Sequence, residues 1–191
     1  MIIINKKEKI VQAAIDIFCE KGIDKANVSD IVKEANIAQG TFYLYFSSKL
    51  AVMPSIAEVM VNKIINELKS EVDSSSIDQQ IKQIINVIFN VTNEYKELTM
   101  LVYSGLTQTQ FIGDWESIYK PLYDWIESLL MSAKKGGLIN STINIKYTAK
   151  IIVGAIESSA EQIHIYDREE IDNVKEYKKE LEKFLLNGLK I

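Results

Sequence analysis

Helix-breaking residues are scarce in this chain, and their scarcity limits the available folds more than any other feature. Two prolines, Pro54 and Pro121, and eight glycines interrupt 191 residues, too few for the many turns of a sheet-rich protein. Apolar side chains recur instead at helical spacing. Between Lys6 and Lys21 they fall at Ile10, Ala13, Ala14, Ile17 and Phe18, the series of an amphipathic helix, and Lys21-Gly22 supplies a stop. A second, short helix is predicted from Asn27 or Ser29 through Ile31, Val32 and Ala35, with Asn36 as a left-handed end. Ile37-Ala38-Gln39-Gly40 then leads into Thr41-Phe42-Tyr43-Leu44-Tyr45-Phe46. Two short helices joined by a tight turn make a helix-turn-helix.

Ser47-Ser48-Lys49 reads as a cap for a long helix ending near Val72, with Pro54 expected to kink it or break its start. Asp73 to Ser76 is the clearest loop. Helices are predicted over residues 77–93 and 94–104, and the stretch from Gly105 to Trp115 is aperiodic. Lys120-Pro121 reads as the start of the next helix, which Gly136-Gly137 ends. Helices over about 144–166 and 169–188 complete the chain. With no alternating strand pattern and no repeat, the fold class is all-α.

Composition narrows the function. Apolar residues make up 47% and charged ones 25%, as in ordinary globular proteins. A single cysteine, Cys19, excludes an internal disulfide and a cysteine-based zinc site, and fits a reducing cytoplasmic setting. The opening Met-Ile-Ile-Ile-Asn is too short for a signal-peptide core, and no apolar run approaches the roughly 18 residues of a membrane span. Neither export nor membrane insertion is expected. The net charge of −4 argues against a protein that coats nucleic acid, yet residues 1–50 carry +1 and the remainder −5. One histidine, His164, without metal-ligand spacing or a glycine-rich phosphate loop, argues against an enzyme, a metal or a cofactor. His164 reads as a packing or capping residue, with an effector-lining role as the alternative, and Glu157 and Glu161 as a solvated helix face, with a cation contact as the alternative.

Residues 28–49, Val-Ser-Asp-Ile-Val-Lys-Glu-Ala-Asn-Ile-Ala-Gln-Gly-Thr-Phe-Tyr-Leu-Tyr-Phe-Ser-Ser-Lys, closely resemble the helix-turn-helix signature of the TetR/AcrR regulators. The likeness includes the Ile-Val-x-x-Ala packing face, the Gly-Thr-x-Tyr start of the recognition helix, the Tyr-x-Tyr-Phe run and the closing lysine. It implies a DNA-binding domain of three helices over residues 1–48 and a helical effector-binding and dimerisation domain over residues 49–191. Ser29, Gln39, Gly40, Thr41, Tyr43, Tyr45 and Lys49 fall on positions that commonly touch DNA in that family, and Phe42 and Phe46 on core positions. The family often has lysine or arginine at Gln39 and histidine at Tyr45, so this head is less basic than many and leans on Lys6, Lys7 and Lys9.

The residue types suit the role. Ala38, Gly40 and Thr41 are small enough to bring backbone close to DNA; Gln39 can read adenine, and tyrosine hydroxyls suit phosphates. Lys49 adds charge near a helix N-terminus. Tyr95, Tyr103, Phe111, Trp115, Tyr119, Tyr123 and Trp125 cluster between the middle helices, where the resemblance implies an effector cavity. Phe89, Tyr103, Phe111, Trp115, Tyr119 and Trp125 are the candidate lining, with plain core packing as the competing role. Gly154, Ala155, Ser158, Ser159 and Ala160 make a narrow helix, and the final helix carries Val174, Tyr177, Leu181, Phe184 and Leu185. Ile156, Ser159, Ala160, Leu181 and Phe184 are the candidate homodimer interface, unless these stripes pack inside one subunit. The expectation is a dimeric repressor on a palindromic operator, released by a small, largely apolar or aromatic effector; the alternative is a regulator without an effector, or an activator.

Overall fold

The computed structural model describes residues 6–73, 76–107, 113–167 and 171–189, with side chains left aside at 106, 107, 171 and 172. Every regular element among them is helical: α1 (Lys6–Lys21), α2 (Val28–Glu34), α3 (Gln39–Tyr43), α4 (Met53–Glu71), α5 (Ile77–Glu94), α6 (Lys96–Thr107), α7 (Trp115–Lys135), α8 (Ile145–Glu161) and α9 (Ile171–Leu189). A 3-10 turn, Lys49–Val52, precedes α4, and a π-helical turn, Gln162–Asp167, follows α8. The chain divides into two compact units, residues 1–60 with 97–118, and residues 61–96 with 119–191. This division differs from a cut at residue 48, because α6 belongs mainly with the N-terminal helices.

In the first unit α1 packs on α2 and α2 on α3. Ile10, Ala14, Ile31, Phe42, Val52, Met53, Ile56 and Ala57 have no exposed surface and form its core. Asn27, not Ser29, caps α2: its side chain accepts from the backbone of Asp30, whose carboxylate accepts the Asn27 backbone N–H at 3.1 Å. Such a reciprocal cap satisfies two orphan donors at once. At the other end Asn36 adopts φ 51°, and Ile37 N–H reaches back to the Val32 carbonyl at 3.0 Å. Asparagine tolerates this left-handed position and turns the chain sharply toward α3. Pro54 is the second residue of α4, where no intrahelical bond is lost, and the 3-10 turn before it is the broken start that the proline dictates.

α5 is the spine of the second unit, in contact with α8, α9 and the π-helical turn. Ile81, Ile84, Ile88 and Phe89 are wholly buried along it. Leu122, Ile126 and Leu130 from α7 and Ala149 and Ile156 from α8 are equally sequestered. Truncating any of the larger ones to alanine would cost about 2–5 kcal/mol. Ser76 caps α5 and Asn144 caps α8. Gly137, at φ 68°, ends α7 with Leu138 N–H bonded to the Ala133 carbonyl at 2.9 Å. The expected start of that helix at Lys120-Pro121 is corrected: α7 begins at Trp115 and holds Pro121 in its interior.

Candidate nucleic-acid interface and effector domain

The aromatic run of the first unit splits by burial. Phe42 and Phe46, one turn apart, are 0% and 5% exposed and lie with ring centroids 5.7 Å apart, anchoring the short α3 in the core. Tyr43 stands edge-on to Phe42 at 5.4 Å but is 51% exposed. Gln39 and Gly40 are exposed, Thr41 is half-buried, and Tyr45 points outward. Leu44, at 81% exposure, extends this edge and was not among the candidates. Its signal lay in the same spacing: with 42 and 46 turned inward, 43 to 45 must face out. Lys6, Lys7 and Lys9 are all exposed on the first turn of α1.

Two polar candidates are engaged locally. Ser29 is exposed and donates its hydroxyl to the Asn27 side chain, supporting the cap. Lys49 is half-buried, and its ammonium donates to the carbonyls of Ile23 at 2.6 Å, Ala26 at 2.8 Å and Asp24 at 3.5 Å. An ammonium has three N–H donors. Lys49, which the resemblance places among positions that touch DNA, thus closes the loop between α1 and α2 in the folded chain. Asp30 of α2 accepts from the Lys21 ammonium at 2.9 Å. That hydrogen bond, with the Asn27 backbone, holds the Asp30 carboxyl below its ordinary range.

The expected pocket residues have separate surroundings. Tyr103 and Trp115 pair in the first unit, with rings 5.6 Å apart. In the second, Tyr119 is 3% exposed and hydrogen-bonds to Glu157. Trp125 borders a groove of about 580 Å³ with Leu129 and Leu138. Phe89 is fully buried under His164 and Lys178. Phe111 lies outside the described residues. Glu157 and Glu161 are not the solvated face expected of them: they are 8% and 9% exposed. Burial first, then the Glu161 charge, pushes the Glu157 carboxyl up to about 8, against the hydrogen bond from Tyr119. Sequence spacing showed that the two acids share a face but not that the face turns inward.

Three of the five interface candidates are sequestered within the single chain. Ile156 and Ala160 have no exposed surface and Leu181 has 8%, so they belong to the core of their own unit. Ser159 is half-buried and Phe184 is 69% exposed. A neighbouring stripe of α8 is open instead, with Tyr147 63% and Ile151 62% exposed and Gly154 and Ser158 following at helical spacing. On α9, Tyr177 and Phe184 occupy one outward face.

Residues 10–56 match the model of the bacterial regulatory proteins of the tetR family, and residues 81–189 that of the tetracyclin repressor-like C-terminal domain. The chain belongs to the TetR family. A relative, the HTH-type transcriptional regulator YvdT of Bacillus subtilis (strain 168), is 40% identical over 96% of this chain and 95% of its own length. Among solved structures, the fatty acid degradation regulator FadR of Bacillus halodurans matches with a TM-score of 0.77 and 22% identity over 95% of this chain and 94% of that one. FadR of Bacillus subtilis, solved with stearoyl-CoA, gives 0.77 and 20% over 94% and 97%. These two structures share the fold. The chain is thus an all-α TetR-family transcriptional regulator, and α2 and α3 are its helix-turn-helix. Among the described residues, no helix is long and apolar enough to cross a membrane.

Proposed function

We propose that the protein is a homodimeric repressor in which residues 1–48 read a palindromic double-stranded operator. Residues 49–191 dimerise and bind a small, largely apolar or aromatic molecule whose arrival releases the DNA. The observation that carries this reading is the divided aromatic run. Phe42 and Phe46 fill the core, while Tyr43, Leu44 and Tyr45 stay in solvent beside Gln39 and Gly40, an edge the folded monomer does not need. Gln39 and Thr41 supply hydrogen-bonding groups for base edges, the tyrosine hydroxyls suit phosphates, and exposed Lys6 adds charge from α1. The outward stripe on α8 and α9 favours a two-fold assembly, which matches two half-sites in successive major grooves.

The stearoyl-CoA held by a FadR of the same fold favours an effector with a long apolar body. The test is fluorescence anisotropy on duplexes recovered by in vitro selection with the full chain. Selected sites should be palindromic and bind a dimer, and palmitoyl-CoA or a smaller apolar compound should release them. Failure to enrich any sequence would remove the DNA-reading role. Operator binding indifferent to a broad panel of apolar compounds would remove the effector.

A further inference from the structure

In the second unit, Phe89 on α5 holds two basic side chains from two other elements, and a third base lies within reach of one of them. His164, on the π-helical turn, stands edge-on to its ring at 5.7 Å, and the Lys178 ammonium of α9 lies 5.0 Å from the ring centroid. Lys178 also donates to the Asn86 side-chain oxygen at 3.1 Å. Lys96, at the start of α6, is close enough for its charge, together with that of Lys178, to lower the proton affinity of His164; burial is the larger cause. Burial likewise lowers the Lys178 ammonium. All three side chains are half-buried.

No counter-charge among the described residues accompanies this arrangement. Among the described residues, no carboxylate figures among the charges acting on His164 or Lys178. From α5 the neutral Asn86 and Phe89 meet these bases. Asp167, at the end of the π-helical turn, is occupied by the Gln162 amide at 2.6 Å. Asn86 also borders a groove carrying Glu67, Glu71 and Glu94. In a chain with 26 acids and 22 lysines and arginines, three half-buried bases gathered with no acid among the described residues are a costly arrangement. An anion would relieve it, and π-helical turns are frequent at functional sites.

We infer that Lys96, His164 and Lys178 form a receptor for the oxyanion group, carboxylate or phosphate, of a small ligand. The inference builds on the reading that residues 49–191 receive an effector, and it names that effector's polar end. Both oxyanions accept from a lysine ammonium and an imidazolium, and binding stabilises the protonated histidine.

His164 is the only histidine, so its imidazole resonance in the full-length chain is unambiguous by NMR. Its titration midpoint should lie below the ordinary value in chloride. At constant ionic strength, saturating octanoate or inorganic phosphate should raise it by about half a pH unit or more. A response to octanoate alone assigns a carboxylate, and to phosphate alone a phosphate. Lys178→Met should raise the chloride midpoint and abolish the anion response, and Lys96→Ala, a milder change, should weaken that response. Equal midpoints in all three salts would overturn the inference, as would a full response in folded Lys178→Met. A His164 response without operator release would uphold the anion site and defeat the effector reading. Release by an apolar compound with His164 unmoved by either anion would do the reverse.

Discussion

The Lys49 ammonium donates to the Ile23 carbonyl at 2.6 Å, tying the turn before α4 to the loop between α1 and α2. With Ala26 as a second acceptor at 2.8 Å, the lysine gathers carbonyls that this loop leaves unpaired. Lys49→Met should therefore destabilise the fold by about 1–3 kcal/mol, the cost of orphaned, partly buried acceptors. Specific and random DNA binding should fall together with the folded fraction, and the salt dependence of the remaining binding should stay that of the native chain. A wild-type melting temperature with a salt slope reduced by about one would return this lysine to a phosphate.

Gly40 separates folding from reading. It is exposed on α3, and a Cβ built there meets nothing within 4 Å. Nothing inside the chain therefore requires glycine at this position. Gly40→Ala should hold or raise the melting temperature, since alanine is favoured by about 1 kcal/mol in a helix. If the open face of α3 approaches base edges, the added methyl should cost about tenfold in operator affinity. Melting and anisotropy on one preparation decide the matter, and unchanged affinity would move the reading face away from Gly40.

Local chemistry was legible in the sequence wherever one residue decides the backbone. Asn27, one of the two starts the sequence offered, marks the beginning of α2, Asn36 its left-handed end, and Phe42 and Phe46 their core face. Pro121 misled because a proline suits a first turn, yet helical pattern and packing carried α7 through it. Periodicity also failed to choose between adjacent stripes of α8. Ile152, Ile156 and Ala160 make one, Tyr147 and Ile151 another, and both are apolar enough to be core or contact. Long-range partners decided the remaining cases. Neither the carbonyls around Lys49 nor the tyrosine beside Glu157 is near in sequence, so the roles of both residues needed the fold.

The buried Glu157 makes stability depend on pH in an unusual direction. Its ordinary value is 4.5 and the folded value is about 8, so the folded chain holds this proton more tightly than the unfolded one. The associated stabilisation is complete below about 4.5 and is lost as pH rises through about 8. Glu157→Gln remains uncharged and keeps an oxygen for the Tyr119 hydroxyl. It should melt higher than the native chain at pH 8, with the gap closing toward pH 5. Parallel melting curves across that range would place the Glu157 carboxylate in a better solvated setting.

Phe184 and Leu181 lie less than one turn apart on α9 but should answer a charge in opposite ways. Leu181 is 8% exposed and inside its unit, so Leu181→Asp buries an unpaired carboxylate and should unfold the chain, with loss of the helical circular dichroism signal. Phe184 is 69% exposed, and Phe184→Asp places its charge in solvent as long as the chain is a monomer. If α8 and α9 meet a second copy, the same charge must be desolvated at the contact. The variant should sediment as a folded monomer where the native chain sediments as a dimer. Ile151→Asp, on the open stripe of α8, should act alike. Operator affinity should fall steeply in both, because a single head loses the second half-site that dimerisation holds at high effective concentration. A dimer that persists in both variants, with native operator affinity, would place the two-fold contact on another surface.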